Sequence, residues 1–142
     1  MTYDFGELSE GAKWRLMVDA AKRGAVDGGY EMTRLPGRGL SNVWELRKNG
    51  LMFTTSIRTT RDRWIAFPPL NGGKKWKTLD DVQRVLVATV DEKESPQKVL
   101  VYMFDATEVR ERFDASHAAR INAGHVVRDD YGMWVALDTR PA

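Results

Sequence analysis

The sequence predicts an α/β or α+β fold in which a single central mixed sheet carries an N-terminal helix and a C-terminal helix. Three observations lead to this prediction. Residues 42–67 contain two strand-like runs on either side of Asn49-Gly50, a strong hairpin signal because both turn residues of a type I′ turn need a positive φ. Residues 85–90 and 99–104 are nearly continuous apolar runs, typical of buried strands. Helix-capping residues flank one predicted helix near the N-terminus and another in the last third of the chain.

The first helix is predicted over residues 9–23. Ser9 can accept a hydrogen bond from the first helical turn, and Gly24 suits the position that follows a helix. The apolar residues of this segment form one broad stripe, which is typical of a helix packed on a sheet. A short strand is expected next, over residues 30–35.

The central hairpin is predicted to pair strands 43–48 and 51–59, and a third strand at 64–67 is expected to complete a meander. Side chains alternate between the two faces of a strand. Phe53 and Ile57 therefore mark the core side of the second strand. Ser56 and Arg58 are expected on the opposite face, where a row of polar residues is normal if that face is wet.

The second helix is predicted over residues 106–123. Asp105 and Glu108 have the spacing of a capping box, and Gly124 suits the position after the helix. A short helical turn is expected at 78–81, before the apolar strands. One more short strand is expected over residues 133–137.

Composition indicates an ordinary globular protein, with 42% apolar and 30% charged residues among 142. We expect a single domain over 1–142, with a core of about 9–123 and a C-terminal extension over 124–142. The absence of cysteine excludes disulfides, thiolate metal sites and cysteine nucleophiles. With no 18-residue apolar run and no signal-peptide pattern, a cytoplasmic protein without membrane contact is expected.

Charge is distributed unevenly along the chain. The first 78 residues carry 14 basic and 8 acidic side chains, a net +6, whereas the remainder carries 8 and 12, a net −4. Residues 58–77 hold six basic side chains and one acidic side chain, Asp62, together with Trp64 and Trp76. This bias suits a phosphate-rich partner, and a solvated basic surface explains it equally well.

Known catalytic motifs are not intact in this sequence. The two histidines, His117 and His125, lack the spacing of a metal-binding pair, so no metal site is predicted. No Gly-x-Ser-x-Gly elbow is present for a serine nucleophile. Among the tryptophans, Trp14, Trp44 and Trp64 are expected in the core and Trp76, among lysines, is expected to be exposed.

The order of these segments resembles small nucleases of the PD-(D/E)XK superfamily across residues 9–113. The shared pattern is an N-terminal helix, an acid-bearing strand, an Asn-Gly turn, a strand ending in basic-Thr-Thr, and an Asp-Asp-Val segment before an apolar strand. The resemblance implies a restriction-endonuclease-like sheet, with an acid on the first hairpin strand and an acid-x-Lys on the second holding Mg²⁺. A helix acid, Glu10 or Asp19, would join them.

In this sequence Glu45 matches the first acid, whereas Ser56 and Arg58 match the second acid and the lysine. Neutral Ser56 is a poor Mg²⁺ ligand, and Arg58 stays protonated and cannot act as a general base. The catalytic residues are therefore vestigial candidates only, and no cofactor is expected. If the chain is nevertheless an enzyme, the resemblance implies a metal-dependent nuclease that uses Mg²⁺.

We expect a small nucleic-acid-associated protein on a nuclease-like scaffold that binds DNA or RNA without robust catalysis. Guanidinium groups suit phosphate oxygens, and an exposed indole can stack on a base. The expected binding residues are Arg58, Arg61, Arg63, Lys74, Lys75, Trp76 and Lys77. The alternative is a protein-interaction or homo-oligomeric module without a nucleic-acid role, in which the +6 part of one copy meets the −4 part of another.

Overall fold

The structure is a computed structural model that describes residues 8–35, 43–62, 64–92, 94, 96 and 98–125, and the backbone of 134–136. Within these residues the chain forms two α-helices and nine strands. Their order is α1 (Glu10–Asp27), β1 (Glu31–Arg34), β2 (Val43–Lys48), β3 (Leu51–Thr59), β4 (Trp64–Ala66), β5 (Pro69–Leu70), β6 (Lys75–Trp76), β7 (Arg84–Val90), β8 (Val99–Asp105), α2 (Ala106–Asn122) and β9 (Trp134–Ala136).

Five of the strands form one mixed sheet in the order β1-β2-β3-β7-β8. The central pair, β3 and β7, is parallel, and every other neighbouring pair in this sheet is antiparallel. The fold is therefore α+β, with an N-terminal and a C-terminal helix and a mixed sheet, as the sequence predicts. No helix within the described ranges combines the length and the apolar character needed to cross a membrane.

The β2–β3 hairpin has the predicted strand boundaries. Asn49 and Gly50 adopt φ values of 53° and 76°, as the turn requires. The expected meander is wrong, because β4 does not pair with β3. It leaves the sheet and pairs with β9, whereas β5 and β6 pair with each other. The place beside β3 is taken by β7.

Apolar clusters cover both faces of the sheet. Between α1 and the sheet lie Met17, Val18, Ala21, Ala25, Leu46, Ile57, Leu86, Ala88 and Val90. On the other face, α2 and the β4–β6 segment cover a second cluster that includes Val43, Ile65, Phe67, Trp76, Val85, Val87, Val109 and Phe113. The face that carries Ser56 and Arg58 is thus covered by a second core and is not a wet surface.

Helix α1 begins as predicted, with the Ser9 hydroxyl accepting a hydrogen bond from the Ala12 N–H at 3.2 Å. It does not end at Gly24 but continues to Asp27. A Cβ atom at position 24 would lie 3.1 Å from Cγ1 of Val101 on β8. Gly24 therefore allows the helix to approach the sheet closely, and this packing explains why a glycine lies inside the helix.

The two apolar runs have different environments in the sheet. All residues of β7 after Arg84 are buried, as predicted. Strand β8 is the edge of the sheet, and its residues 99–104 are only partly buried. The predicted capping box of α2 is also absent, because the Asp105 carboxylate pairs with Arg84 at 3.1 Å and caps no backbone N–H.

Candidate functional site

The three vestigial catalytic candidates share one face of the β2–β3 pair. Glu45 on β2 lies opposite Thr54 on β3. Ser56, two residues further along β3, lies opposite Val43 and is therefore a diagonal neighbour of Glu45. Arg58 follows on the same side, since residues two apart on a strand face the same way. The hairpin register inferred from the sequence therefore places these side chains together on the α2 side of the sheet.

Their surroundings do not form a metal site. Both Nε and Nη2 of Arg47 lie 2.6 Å from Oε1 of Glu45, so this carboxylate is already neutralised. Ser56 is fully buried, and its hydroxyl has no hydrogen-bond partner in the described part of the chain. Across those same residues, no three Asp, Glu or His side chains gather closely enough to hold a metal ion.

The two candidate helix acids do not join this group. Helix α1 packs on the opposite face of the sheet from Glu45 and Ser56. Glu10 makes ion pairs with Lys13 at 3.2 Å and with Arg61 at 3.3 Å. Asp19 pairs with Lys22 at 3.3 Å. Both acids thus belong to ion pairs on the α1 side.

Arg58 is a half-buried cation stacked on an aromatic ring. Its guanidinium carbon lies 4.6 Å from the ring centroid of Phe67. Burial lowers the pKa of Arg58 from its ordinary value. Its Nε is buried without a hydrogen-bond partner, and no carboxylate pairs with this side chain among the residues that the structure describes. Since buried cations are normally paired, Arg58 is suited to receive an anion.

Beyond Phe67, strands β5 and β6 form a small hairpin, which we call the lysine hairpin (residues 69–77). Its turn needs left-handed backbone, with φ values of 53° at Asn71, 67° at Gly72 and 87° at Gly73. At Gly73 an added Cβ would lie 2.5 Å from Nε2 of His117 on α2. The hairpin therefore lies directly against the second helix.

Trp76 anchors the lysine hairpin in the core and is only 1% exposed, so its predicted exposure is wrong. Its indole N–H donates a hydrogen bond to Oδ1 of Asp114 at 2.8 Å, and its ring lies 5.0 Å from that of Phe113. The backbone N–H of Trp76 donates to Oδ2 of Asp80 at 2.9 Å. A stacking role toward a base is thereby excluded for this residue.

The lysines around Trp76 are exposed. Because strand residues alternate between faces, the inward position of Trp76 turns Lys75 and Lys77 outward. Lys74 is exposed as well, and its carbonyl accepts a hydrogen bond from Nη2 of Arg110 at 3.1 Å. Neither Lys74 nor Lys75 has a side-chain partner within the described ranges. The alternating Lys-Trp-Lys pattern could have signalled this arrangement from the sequence.

Arg58 is linked to the lysine hairpin through two consecutive residues. Its stacking partner is Phe67, and the carbonyl of the next residue, Pro68, accepts a hydrogen bond from the Lys77 N–H at 2.9 Å. We define the basic surface as Arg58, Lys74, Lys75 and Lys77. Phe67, which positions Arg58, was not identified as a site residue from the sequence.

Arg61 does not belong to the basic surface. Its ion pair with Glu10 turns it toward α1, where it borders a cleft of about 370 Å³ with Lys13 and Trp14. Arg63, the remaining predicted binding residue, lies outside the described residues. Arg61 is therefore left out of the basic surface as defined here, and the roles of Arg61 and Arg63 in binding stay predictions.

Trp14 and Trp64 differ from the expectation of core packing, whereas Trp44 packs against the core beneath α1. Trp14 and Trp64 are each 48% exposed. Trp44 is partly buried between two cations, with Nζ of Lys22 lying 5.2 Å and the guanidinium carbon of Arg34 lying 6.0 Å from its ring centroid. Trp14 and Trp64 thus offer more aromatic surface to solvent than Trp76.

Comparisons of the chain with family models, with curated proteins and with solved structures find no match.

Proposed function

We propose that this chain is a nucleic-acid-associated protein that holds the phosphate backbone of DNA or RNA on its basic surface without robust catalysis. The proposal includes a nuclease-like scaffold of the PD-(D/E)XK type and a cytoplasmic location. It rests chiefly on one observation, the display of exposed lysines by a hairpin that the buried Trp76 fixes in place.

The lysine hairpin suits contact with a polyanion. Lysine ammonium groups act as compact point charges, and each phosphate they neutralise releases a condensed counterion. Because Trp76 is held through Asp80 and Asp114, the backbone that carries the lysines is already ordered before binding, and only their side chains must be immobilised. Contacts with phosphates position a nucleic acid but do not distinguish one base sequence from another.

Arg58 adds a second kind of contact to the same surface. Its guanidinium has the planar fork that matches phosphate oxygens, and no carboxylate in the described part of the chain occupies that fork. Stacking on Phe67 holds its orientation. A phosphate at Arg58 would supply the counter-charge that this half-buried cation lacks.

The arrangement around Glu45 supports binding in preference to cleavage. Hydrolysis of a phosphodiester by a nuclease-like site needs a divalent ion held by carboxylates next to the scissile bond. Here Arg47 neutralises Glu45, and the neighbouring Ser56 is enclosed by the core. The α+β sheet with a helix on each face supports the scaffold part of the proposal.

Binding of labelled single- and double-stranded DNA and RNA, measured against salt concentration with and without Mg²⁺, tests this function. The variant Lys74→Gln with Lys75→Gln should weaken binding and reduce the slope of log K against log salt by about 0.9 per lost phosphate contact on duplex DNA. The substrate should remain intact when Mg²⁺ is present.

A matched control removes two exposed arginines from α1, on the opposite side of the sheet. Arg15→Gln with Arg23→Gln changes the net charge equally and should leave the salt slope unchanged. Equal losses of affinity in the lysine and arginine double variants would show that only net charge matters. That result would contradict the proposed surface. Mg²⁺-dependent cleavage that is lost in Glu45→Ala would show that the site is catalytic.

A further inference from the structure

We propose that the cleft between α1 and the end of β3 holds an unpaired base of a single strand whose phosphates lie on the basic surface. This inference rests on the proposed function and adds to it a preference for single-stranded nucleic acid. It starts from Trp14, which borders this cleft and is half-exposed, although tryptophan side chains are highly buried on average.

Two segments form the walls of this cleft, which we name the Trp14 cleft and which has a volume of about 370 Å³. One wall is a single face of α1, since residues three, four and seven apart on a helix line up, and it carries Glu10, Lys13, Trp14 and Met17. The other wall is residues 59–62, where β3 ends. The volume is at the lower end of the range for small-molecule sites, about 300–1,000 Å³, and suits one base with its sugar.

The charged groups of the Trp14 cleft already have partners. Oε1 of Glu10 lies 3.2 Å from Nζ of Lys13, and Oε2 lies 3.3 Å from Nη2 of Arg61. Oδ1 of Asp62 accepts a hydrogen bond from the Thr60 hydroxyl at 2.9 Å. Because the lining contains two acidic and two basic side chains, it carries no net charge.

This balance of charge decides which part of a nucleotide fits. A phosphate would face the carboxylates of Glu10 and Asp62, and a cationic ligand would face Lys13 and Arg61. An uncharged planar ring avoids both kinds of repulsion and can stack on the Trp14 indole. Its edge would find hydrogen-bond donors and acceptors among the polar groups of the lining. A nucleobase has all of these properties.

The Trp14 cleft and the basic surface adjoin the same end of β3. Arg58 lies two residues before Thr60, so at about 3.3 Å per residue of extended chain their Cα atoms are about 7 Å apart. Arg58 stacks on Phe67 on the α2 side of the sheet, whereas the cleft lies beside α1. A single strand that crosses the end of β3 therefore reaches both. A base inside a duplex is paired and stacked, and it cannot enter the cleft.

Fluorescence anisotropy of a labelled single strand, an abasic strand of the same length and a duplex tests this inference on the full chain. The abasic strand keeps the sugars and phosphates but has no bases, so wild type should bind it more weakly than the base-bearing single strand. Trp14→Leu should weaken binding of the base-bearing strand by about 5- to 150-fold, the effect of losing one base–aromatic stack. Its affinity for the abasic strand and for the duplex should match wild type, which also shows that the variant is folded.

Trp64→Leu is the matched control, because Trp64 is as exposed as Trp14 but lies outside the lining of the cleft. This variant should bind all three nucleic acids as wild type does. Unchanged affinity in Trp14→Leu, an equal loss in Trp64→Leu, or equal binding of base-bearing and abasic strands by wild type would overturn the inference while the basic surface stands. If wild type bound none of the three, the proposed function would fail and this inference with it.

Discussion

The indole N–H of Trp76 donates to Oδ1 of Asp114 at 2.8 Å, which joins the lysine hairpin to helix α2. The donor belongs to a fully buried residue, and the acceptor carboxylate is half-exposed. Arg110 holds the same carboxylate at 3.7 Å and the neighbouring Asp80 at 3.0 Å. The position of the exposed lysines thus depends on polar contacts beneath them.

We first predict that Asp114→Ala destabilises the protein by about 1–3 kcal/mol, because it leaves the buried indole N–H unpaired. Asp114→Asn retains an oxygen acceptor and should lose less. Urea unfolding followed by tryptophan fluorescence measures both free energies of unfolding. Similar losses in the two variants would indicate that the ion pair with Arg110, and not the hydrogen bond, matters at this position.

Arg58→Met is predicted to weaken nucleic-acid binding while leaving the free energy of unfolding nearly unchanged. The pKa of Arg58 is lowered by burial, so the folded state holds this proton less tightly than the unfolded chain does. That unfavourable contribution is constant at every pH below the folded pKa and is lost as pH rises through the folded pKa toward the unfolded one. Removing the charge should keep stability within about 1 kcal/mol of wild type between pH 6 and 9, while nucleic-acid affinity falls.

Unfolding and binding measurements on Arg58→Met at two pH values in this range check the prediction. Arg58→Lys keeps the charge but loses the planar fork, so it should recover only part of the affinity. Unchanged affinity in Arg58→Met would remove Arg58 from the basic surface.

Gly73→Ala is predicted to destabilise the lysine hairpin. Its φ of 87° is unfavourable for a residue with a Cβ, and that atom would lie 2.5 Å from Nε2 of His117. Gly72→Ala is the matched control, because its φ is also positive at 67° but nothing lies within 4 Å of the added atom. We expect a loss of about 1–2 kcal/mol for Gly72→Ala and a larger loss for Gly73→Ala, measured by thermal unfolding.

The two glycines of α1 that lie within the helix, Gly11 and Gly24, should respond differently to alanine. Gly11→Ala places its Cβ in ordinary contact, 3.5 Å from the flexible end of Arg15, and should stabilise the helix by about 0.5–1 kcal/mol. Gly24→Ala gains the same helix propensity but pushes against Val101 on β8. We expect that variant to show a smaller gain or a net loss in urea unfolding. If Gly24→Ala stabilised the protein as much as Gly11→Ala does, then α1 and β8 could move apart at little cost.

Local signals were sufficient for the start of α1 and for the central hairpin. The positive φ demanded of Asn49 and Gly50 determines the turn, and the turn determines the register of β2 with β3. That register places Glu45 on the same face as Ser56 and Arg58. Each of these features depends on residues close together in the chain.

Features that depend on distant neighbours could not be predicted. The apolar run 99–104 has the composition of a central strand, but composition does not say how many strands lie beside it. Likewise, the residues between Gly73 and Lys77 do not reveal that the half-exposed Asp114 on α2 accepts a hydrogen bond from the Trp76 indole. The departure of β4 from the sheet depends on its pairing with β9, which lies much later in the chain.

The parallel pairing of β3 with β7 also constrains the order of folding. Ile57 lies beside Leu86, so the centre of the sheet closes only after the intervening lysine hairpin has been synthesised and brought into place. The β2–β3 hairpin can form within microseconds. The non-local pairing of β3 with β7 is slower, because the long intervening loop must close before any stabilising contact forms. During translation one edge of β3 therefore stays unpaired until β7 has been synthesised, and an unpaired strand edge is prone to misassociation.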